Sequence, residues 1–187
     1  MIRIVVPYTK EVLDSIIYEY QEFFCPAQFI FIFLALFTLF LIWRKVNKYN
    51  TIVVSILAFF WIWIAAIYEM KYYSSINWFG FYIALFFIFQ VLLLFWFTIF
   101  KKELVFKKNQ YSLSLLFILI LCYPLFQFFS GTTYFEVSII GMLPDITVVF
   151  SLILLFMNTK KRILTLFIIP SLWIAFSLYW NYLLLFN

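Results

Sequence analysis

Six stretches of this chain, at about residues 26–43, 51–68, 78–100, 111–129, 138–157 and 163–186, are almost unbroken apolar runs, and Asp145 is the single charged residue within them. Each is close to the ~20 residues a helix needs to cross a hydrocarbon core of ~30 Å. Hydrocarbon offers no water to satisfy backbone N–H and C=O groups, so such runs must be helical. The composition agrees, with 67% of residues apolar and 11% charged, whereas a soluble domain is about half apolar and a quarter charged. The expected fold class is all-α, a polytopic membrane protein with six transmembrane helices. Residues 26–187 form its bundle, a single domain, and residues 1–25 an outer amphipathic lead helix.

In the lead, Leu13, Ile16, Ile17, Tyr20 and Phe24 recur at helical spacing, while Lys10, Glu11, Asp14, Glu19 and Glu22 lie largely off that stripe. Thr9 followed by Glu11 makes a helix start. Helices that cling to anionic lipid carry Lys and Arg on the polar face. This one is mostly acidic, so a short interfacial helix packed over the outer end of the bundle is expected. The apolar run before Pro7 is too short for a signal peptide, and none is expected.

Ten of the thirteen basic residues fall in three turns: Arg44, Lys45 and Lys48; Lys101, Lys102, Lys107 and Lys108; Lys160, Lys161 and Arg162. Seven of the eight acids lie on the opposite side of the spans, where Arg3, Lys10 and Lys71 are the only cations. Loops rich in Lys and Arg stay cytoplasmic, which puts both termini outside. The formal charge of +5 is therefore a topological signal, and no nucleic-acid partner is expected. Pro124 and Pro170 fall in the second helix of hairpins two and three, but Ala65 and Ala66 stand there in the first, so the three hairpins form no internal repeat.

The chain has no His. That removes Ser/His and Cys/His dyads, HExxH zinc sites and imidazole-bound haem. Cys25 and Cys122 form no CxxC and read as apolar fillers. No metal and no cofactor is expected.

The remaining polar groups sort by depth. Gln28 starts the first span at its outer end, Glu69 closes the second, Asn77 opens the third and Gln127 lies near the outer end of the fourth. Asp145 is in the outer part of the fifth and Asn181 in the outer turns of the sixth; only Gln90 is near mid-depth. A polar side chain facing lipid costs a few kcal/mol. These residues, with Glu22 of the lead, are candidates to line one outward-open, substrate-binding pocket. The alternative places them in the headgroup region, above all Glu69 and Asn77.

Gly141 and Pro144 interrupt the fifth run, and the residues from Pro144 to Met157 span only ~20 Å as helix. Pro144 suits a first helical position, with Asp145 at the positive end of the helix dipole. The functional alternative is an unwound GMLP stretch whose free carbonyls, with Asp145, face a cation or polar solute. Pro124 and Pro170 should kink their helices, placing Ser171, Tyr123 and Tyr179 on the inner wall of the same pocket. Trp43, Tyr72, Tyr73, Trp78, Tyr134 and Trp180 read as an aromatic belt.

The order PYTKEVLDSIIYEYQ, CPAQ at the first span, SSIN before the third, CYP in the fourth and G-x-x-P-x-x-T in the fifth (Gly141, Pro144, Thr147) resembles a family of bacterial six-span membrane proteins of unknown function. The resemblance covers nearly the whole chain and implies that Pro26, Gln28, Asn77, Pro124, Gly141 and Pro144 are shared. Cys25 departs from the aromatic residue usual before Pro-Ala-Gln, and Asp145 from a small or polar one. The implied setting is the inner membrane of a bacterium, with the lipid bilayer as partner; no activity is implied. The expected function is a small-solute or cation transporter or binding subunit, not an enzyme. The alternative is a scaffold or sensor that binds another membrane protein, and a carboxylate-dependent intramembrane enzyme ranks last, since the sequence shows no paired carboxylates at fixed spacing.

Overall fold

A computed structural model describes residues 8–160 and 163–186, so Arg3, Lys161 and Arg162 lie outside the described residues. Among the described residues the chain forms seven helices: α1 Lys10–Phe23, α2 Cys25–Arg44, α3 Tyr49–Ser75, α4 Gly80–Phe100, α5 Gln110–Phe129, α6 Pro144–Phe156 and α7 Thr165–Phe186. α2, α3, α4, α5 and α7 are long and apolar enough to cross a membrane. Three wide, π-helical turns interrupt them, at Ile64–Tyr72 in α3, Trp96–Phe100 in α4 and Ile118–Cys122 in α5. The last directly precedes Pro124, whose ring would otherwise meet the carbonyl four residues back.

Of the five long helices, α3 is the central post and the most enclosed, while α5 and α7 are the least. Phe60, Trp61, Ile64 and Ala65 are fully buried. The Trp61 ring stands edge-on to Phe87 of α4 at 4.8 Å, and Phe60 lies 5.6 Å from Phe31 of α2 and 6.2 Å from Phe150 of α6. Around this core Phe29, Phe33, Phe86, Phe126 and Leu178 point outward. In water that surface would drive association, but against lipid tails it costs little.

The basic turns meet at one end. Tyr49 donates its hydroxyl to the Phe106 carbonyl at 2.6 Å, and the Asn50 side chain accepts from the Phe106 amide at 2.9 Å. A single antiparallel bridge pairs Phe106 with Asn158, extended by the Lys107 amide on Met157 and the Thr159 amide on Val105. Lys160 donates to the Lys102 carbonyl at 2.9 Å, and Lys108 lies 5.3 Å from the Trp43 ring. Leu104 and Phe106 are buried beneath these turns.

Three expectations need correction. The fifth run is not a full-length helix: α6 has 13 residues, ~20 Å at 1.5 Å per residue, and the chain before it is irregular apart from a short turn at Tyr134–Glu136. The second run does not end near residue 68. It continues to Ser75 because Glu69 and Lys71 lower the hydropathy without ending the helix, so Glu69 stands inside α3. α1 does lie over the bundle, yet it is more than an interfacial cover, because Tyr20 and Gln21 are wholly buried.

Candidate functional site

The irregular segment before α6 is organised by the glycine-proline-threonine motif. Gly141 has φ +84°, and a Cβ there would lie 2.4 Å from Phe31 and 2.7 Å from Phe60, so only glycine fits between these rings. Its N–H donates to the Thr147 hydroxyl at 2.6 Å, which in turn donates to the Leu143 carbonyl at 2.7 Å. Tyr20 of α1 donates to the Met142 carbonyl at 3.2 Å while accepting from the Trp63 indole at 2.8 Å. Irregular backbone this deep is tolerated because protein groups satisfy it. The carbonyls of Met142 and Leu143 are therefore engaged, contrary to the expectation of a free GMLP stretch. Pro144 opens α6 and Asp145 occupies its first turn.

Where this segment meets α1, α3 and α7, at the end opposite the basic turns, it borders a half-open cavity of about 120 Å³. The lead contributes Tyr8, α3 contributes Tyr68, Glu69 and Tyr73, and α6 contributes Asp145. One face of α7 supplies Trp173, Phe176, Ser177, Trp180 and Asn181, spaced i, i+3, i+4, i+7 and i+8 as a single helical stripe requires. The Trp173 indole donates to Asp145 Oδ1 at 2.8 Å. The Trp180 indole donates to the Tyr8 hydroxyl, which is 2.6 Å from that of Tyr73.

Glu69 is the exception to this pairing. Its side chain is 0% exposed and neither carboxylate oxygen has a hydrogen-bond partner among the described residues. Lys71, two residues on, turns away and stacks on the rings of Phe23 and Tyr72, each at 5.2 Å. Gly80 lets the start of α4 come against this segment: a Cβ there would sit 2.8 Å from the Glu69 carbonyl oxygen. Buried polar groups without partners are rare in native proteins and call for an explanation.

The expected pocket thus brings together Glu69, Asp145 and Asn181, and not the others. Gln28 is buried against α1, donating to the Gln21 side chain at 3.2 Å. Asn77 holds the α3–α4 turn, donating to Tyr73 at 3.2 Å and accepting from the Phe79 amide at 3.1 Å. Gln127 ties α5 to Ser138, whose amide it accepts at 2.8 Å, and Glu22 faces outward from α1. Ser171, Tyr123 and Tyr179 are exposed rather than on an inner wall. Tyr73 and Trp180, expected in an aromatic belt, line the cavity instead, and Cys122 is exposed rather than a filler. Pro170 lies within α7 and leaves the Leu166 carbonyl without its helical donor; the fully buried Gln90 supplies a substitute at 3.0 Å.

Outside the long helices, burial pushes the Tyr8 phenol above the ordinary tyrosine range despite its bonds with Tyr73 and Trp180. Burial does the same to Tyr20 of α1. Glu11, fully exposed, is held below the usual carboxylate range chiefly by the Thr9 side chain. Among the described residues no group of three or more His, Cys, Asp or Glu is placed to hold a metal ion.

Long apolar helices around a part-polar end cavity define a helical membrane protein. The chain belongs to a family of unknown function, DUF6064, whose model matches residues 10–185. No curated protein and no solved structure matches it.

Proposed function

We propose that the chain crosses a bacterial inner membrane six times and binds or carries a small cationic or polar solute through the cavity between α1, α3, α6 and α7. The basic turns face the cytoplasm and both termini lie outside, in keeping with the collection of those turns at one end. The fifth crossing along the chain is a broken one, made of the irregular residues 137–143 followed by α6. Half-length helices preceded by unwound backbone line solute sites in other membrane proteins.

The observation that carries this reading is Glu69. A carboxylate enclosed by protein with no partner costs several kcal/mol unless it takes up a proton or a counter-charge joins it, and among the described residues the cavity beside it is lined by a second carboxylate and by no basic side chain. The test is solute accumulation and ligand-induced thermal stabilisation, measured with the full chain in proteoliposomes across a panel of cations and neutral solutes. Stabilisation by a cationic or polar solute that disappears in Glu69→Gln supports the reading; an unchanged response in that variant overturns it. Cysteine labelling at Lys45 and Lys107 from the cytoplasmic side, and at Ser138 from outside, tests the orientation. The second reading, a scaffold or sensor docking another membrane protein, draws on the lightly packed α5, with Phe126 and Phe129 exposed.

A further inference from the structure

The chemistry around Glu69 narrows the class of solute. Among the described residues, an anion finds no positive side chain in the cavity wall. A neutral polyol needs a wall of free donors and acceptors, and several of the polar groups here are already engaged. Ser138 accepts from Gln127 at 3.4 Å, and Asn181 donates to Ser177 at 3.4 Å. A divalent metal such as Ca²⁺ needs some six to eight oxygen ligands. The cavity offers two carboxylates, one of them held by Trp173, and the carbonyls of Met142 and Leu143 are taken by Tyr20 and Thr147.

What the wall has in quantity is aromatic surface, from Tyr8, Tyr68, Tyr73, Trp173, Phe176 and Trp180. Aromatic faces attract organic ammonium groups and tolerate the carbon atoms attached to them, most strongly when the cation is desolvated. A bare alkali ion gains less there, because it gives up its water shell and finds few oxygens in return. We infer that the cavity takes a small alkylammonium ion, with its nitrogen on the Glu69 carboxylate and its carbon atoms against the rings of Tyr68, Tyr73, Trp173 and Trp180. A cavity of about 120 Å³ holds only a few carbon atoms beside the nitrogen. This assignment rests on the cation-binding reading above and specifies its ligand.

The experiment titrates the purified full chain, in lipid nanodiscs, with methylammonium, dimethylammonium and tetramethylammonium. Sodium, potassium and neutral tert-butanol serve as comparisons. Tryptophan fluorescence, which Trp173 and Trp180 report from the wall, is followed together with thermal unfolding. The expected result is a saturable response to at least one alkylammonium ion, at least tenfold tighter than to sodium, potassium or tert-butanol. Glu69→Gln and, separately, Trp180→Leu weaken it tenfold or more while unfolding stays cooperative. Asp145→Asn, at an exposed position, is the second carboxylate variant should Glu69→Gln fail to fold. A Glu69-dependent response confined to sodium or potassium overturns the alkylammonium assignment and leaves the cation-binding reading standing. A folded protein that responds to no cation overturns both, and alkylammonium binding unchanged in both carboxylate variants overturns the site.

Discussion

Replacing Glu69 by Met should make the protein more stable, a sign opposite to that of most substitutions at buried positions. Both carboxylate oxygens are buried without a partner among the described residues, and Glu and Met differ little in length. Leaving a buried polar group unsatisfied costs ~1–3 kcal/mol in proteins. A thioether removes that cost and fills the same space. The expected gain is ~1–3 kcal/mol, lowering the unfolding constant ~5- to 150-fold. Equilibrium unfolding of wild type and Glu69→Met in mixed micelles, followed by tryptophan fluorescence without added solute, measures it. A loss of more than ~1 kcal/mol would show that the carboxylate is already well partnered, and the argument for a bound cation would fall with it. Function should move the other way, since sites built for ligands commonly carry a stability cost.

Gly141→Ala should destabilise by ~2–5 kcal/mol, combining ~1–2 for left-handed backbone with ~1–3 for overpacking against Phe31 and Phe60; the same unfolding assay reads it. Thr147→Val strands the Gly141 N–H and should cost ~1–3 kcal/mol, with amide exchange at Gly141 accelerating. Gln90→Leu should cost about 1 kcal/mol more in wild type than in a Pro170→Ala background, where a restored backbone donor reaches the Leu166 carbonyl; equal costs in the two backgrounds would separate Gln90 from Pro170. Burial raises the folded-state pKa of Tyr8 and Tyr20. Their contribution is complete below the unfolded tyrosine value of ~10 and is lost as pH rises above it, so stability should fall less steeply with pH above that value in Tyr20→Phe than in wild type.

Much of the fold was legible because hydropathy and helix length report the same property, removal of backbone from water. Five of the six apolar runs are long helices, and the interruption at Gly141 and Pro144 marks the fifth as different in kind. Hydropathy failed where a polar residue sits inside a helix. Glu69 appeared to close a span, yet α3 runs on past it in wide turns that no local pattern announces. The site was legible only in part, because depth can be read from sequence whereas the direction a side chain faces depends on packing. Gln28 and Gln127 stand at the right depth, but they point to α1 and to Ser138. The aromatic wall was overlooked because Tyr73 and Trp180 have the composition and position of lipid-interface residues. The α7 stripe from Trp173 to Asn181 was the available signal, with ring and amide side chains on one face.

The wide turns at Ile64–Tyr72 make the number of residues in α3 as constrained as their chemistry. In an ordinary α-helix each residue advances the chain by ~100° about the axis. Deleting a single residue ahead of Glu69, with the coil keeping its width, would swing everything beyond it by an angle of that order. Tyr68, Glu69 and Tyr73 would then be turned toward neighbouring helices or lipid, with every functional side chain retained and the cavity lost. Along this segment, a shortening of one residue would do more damage than most substitutions.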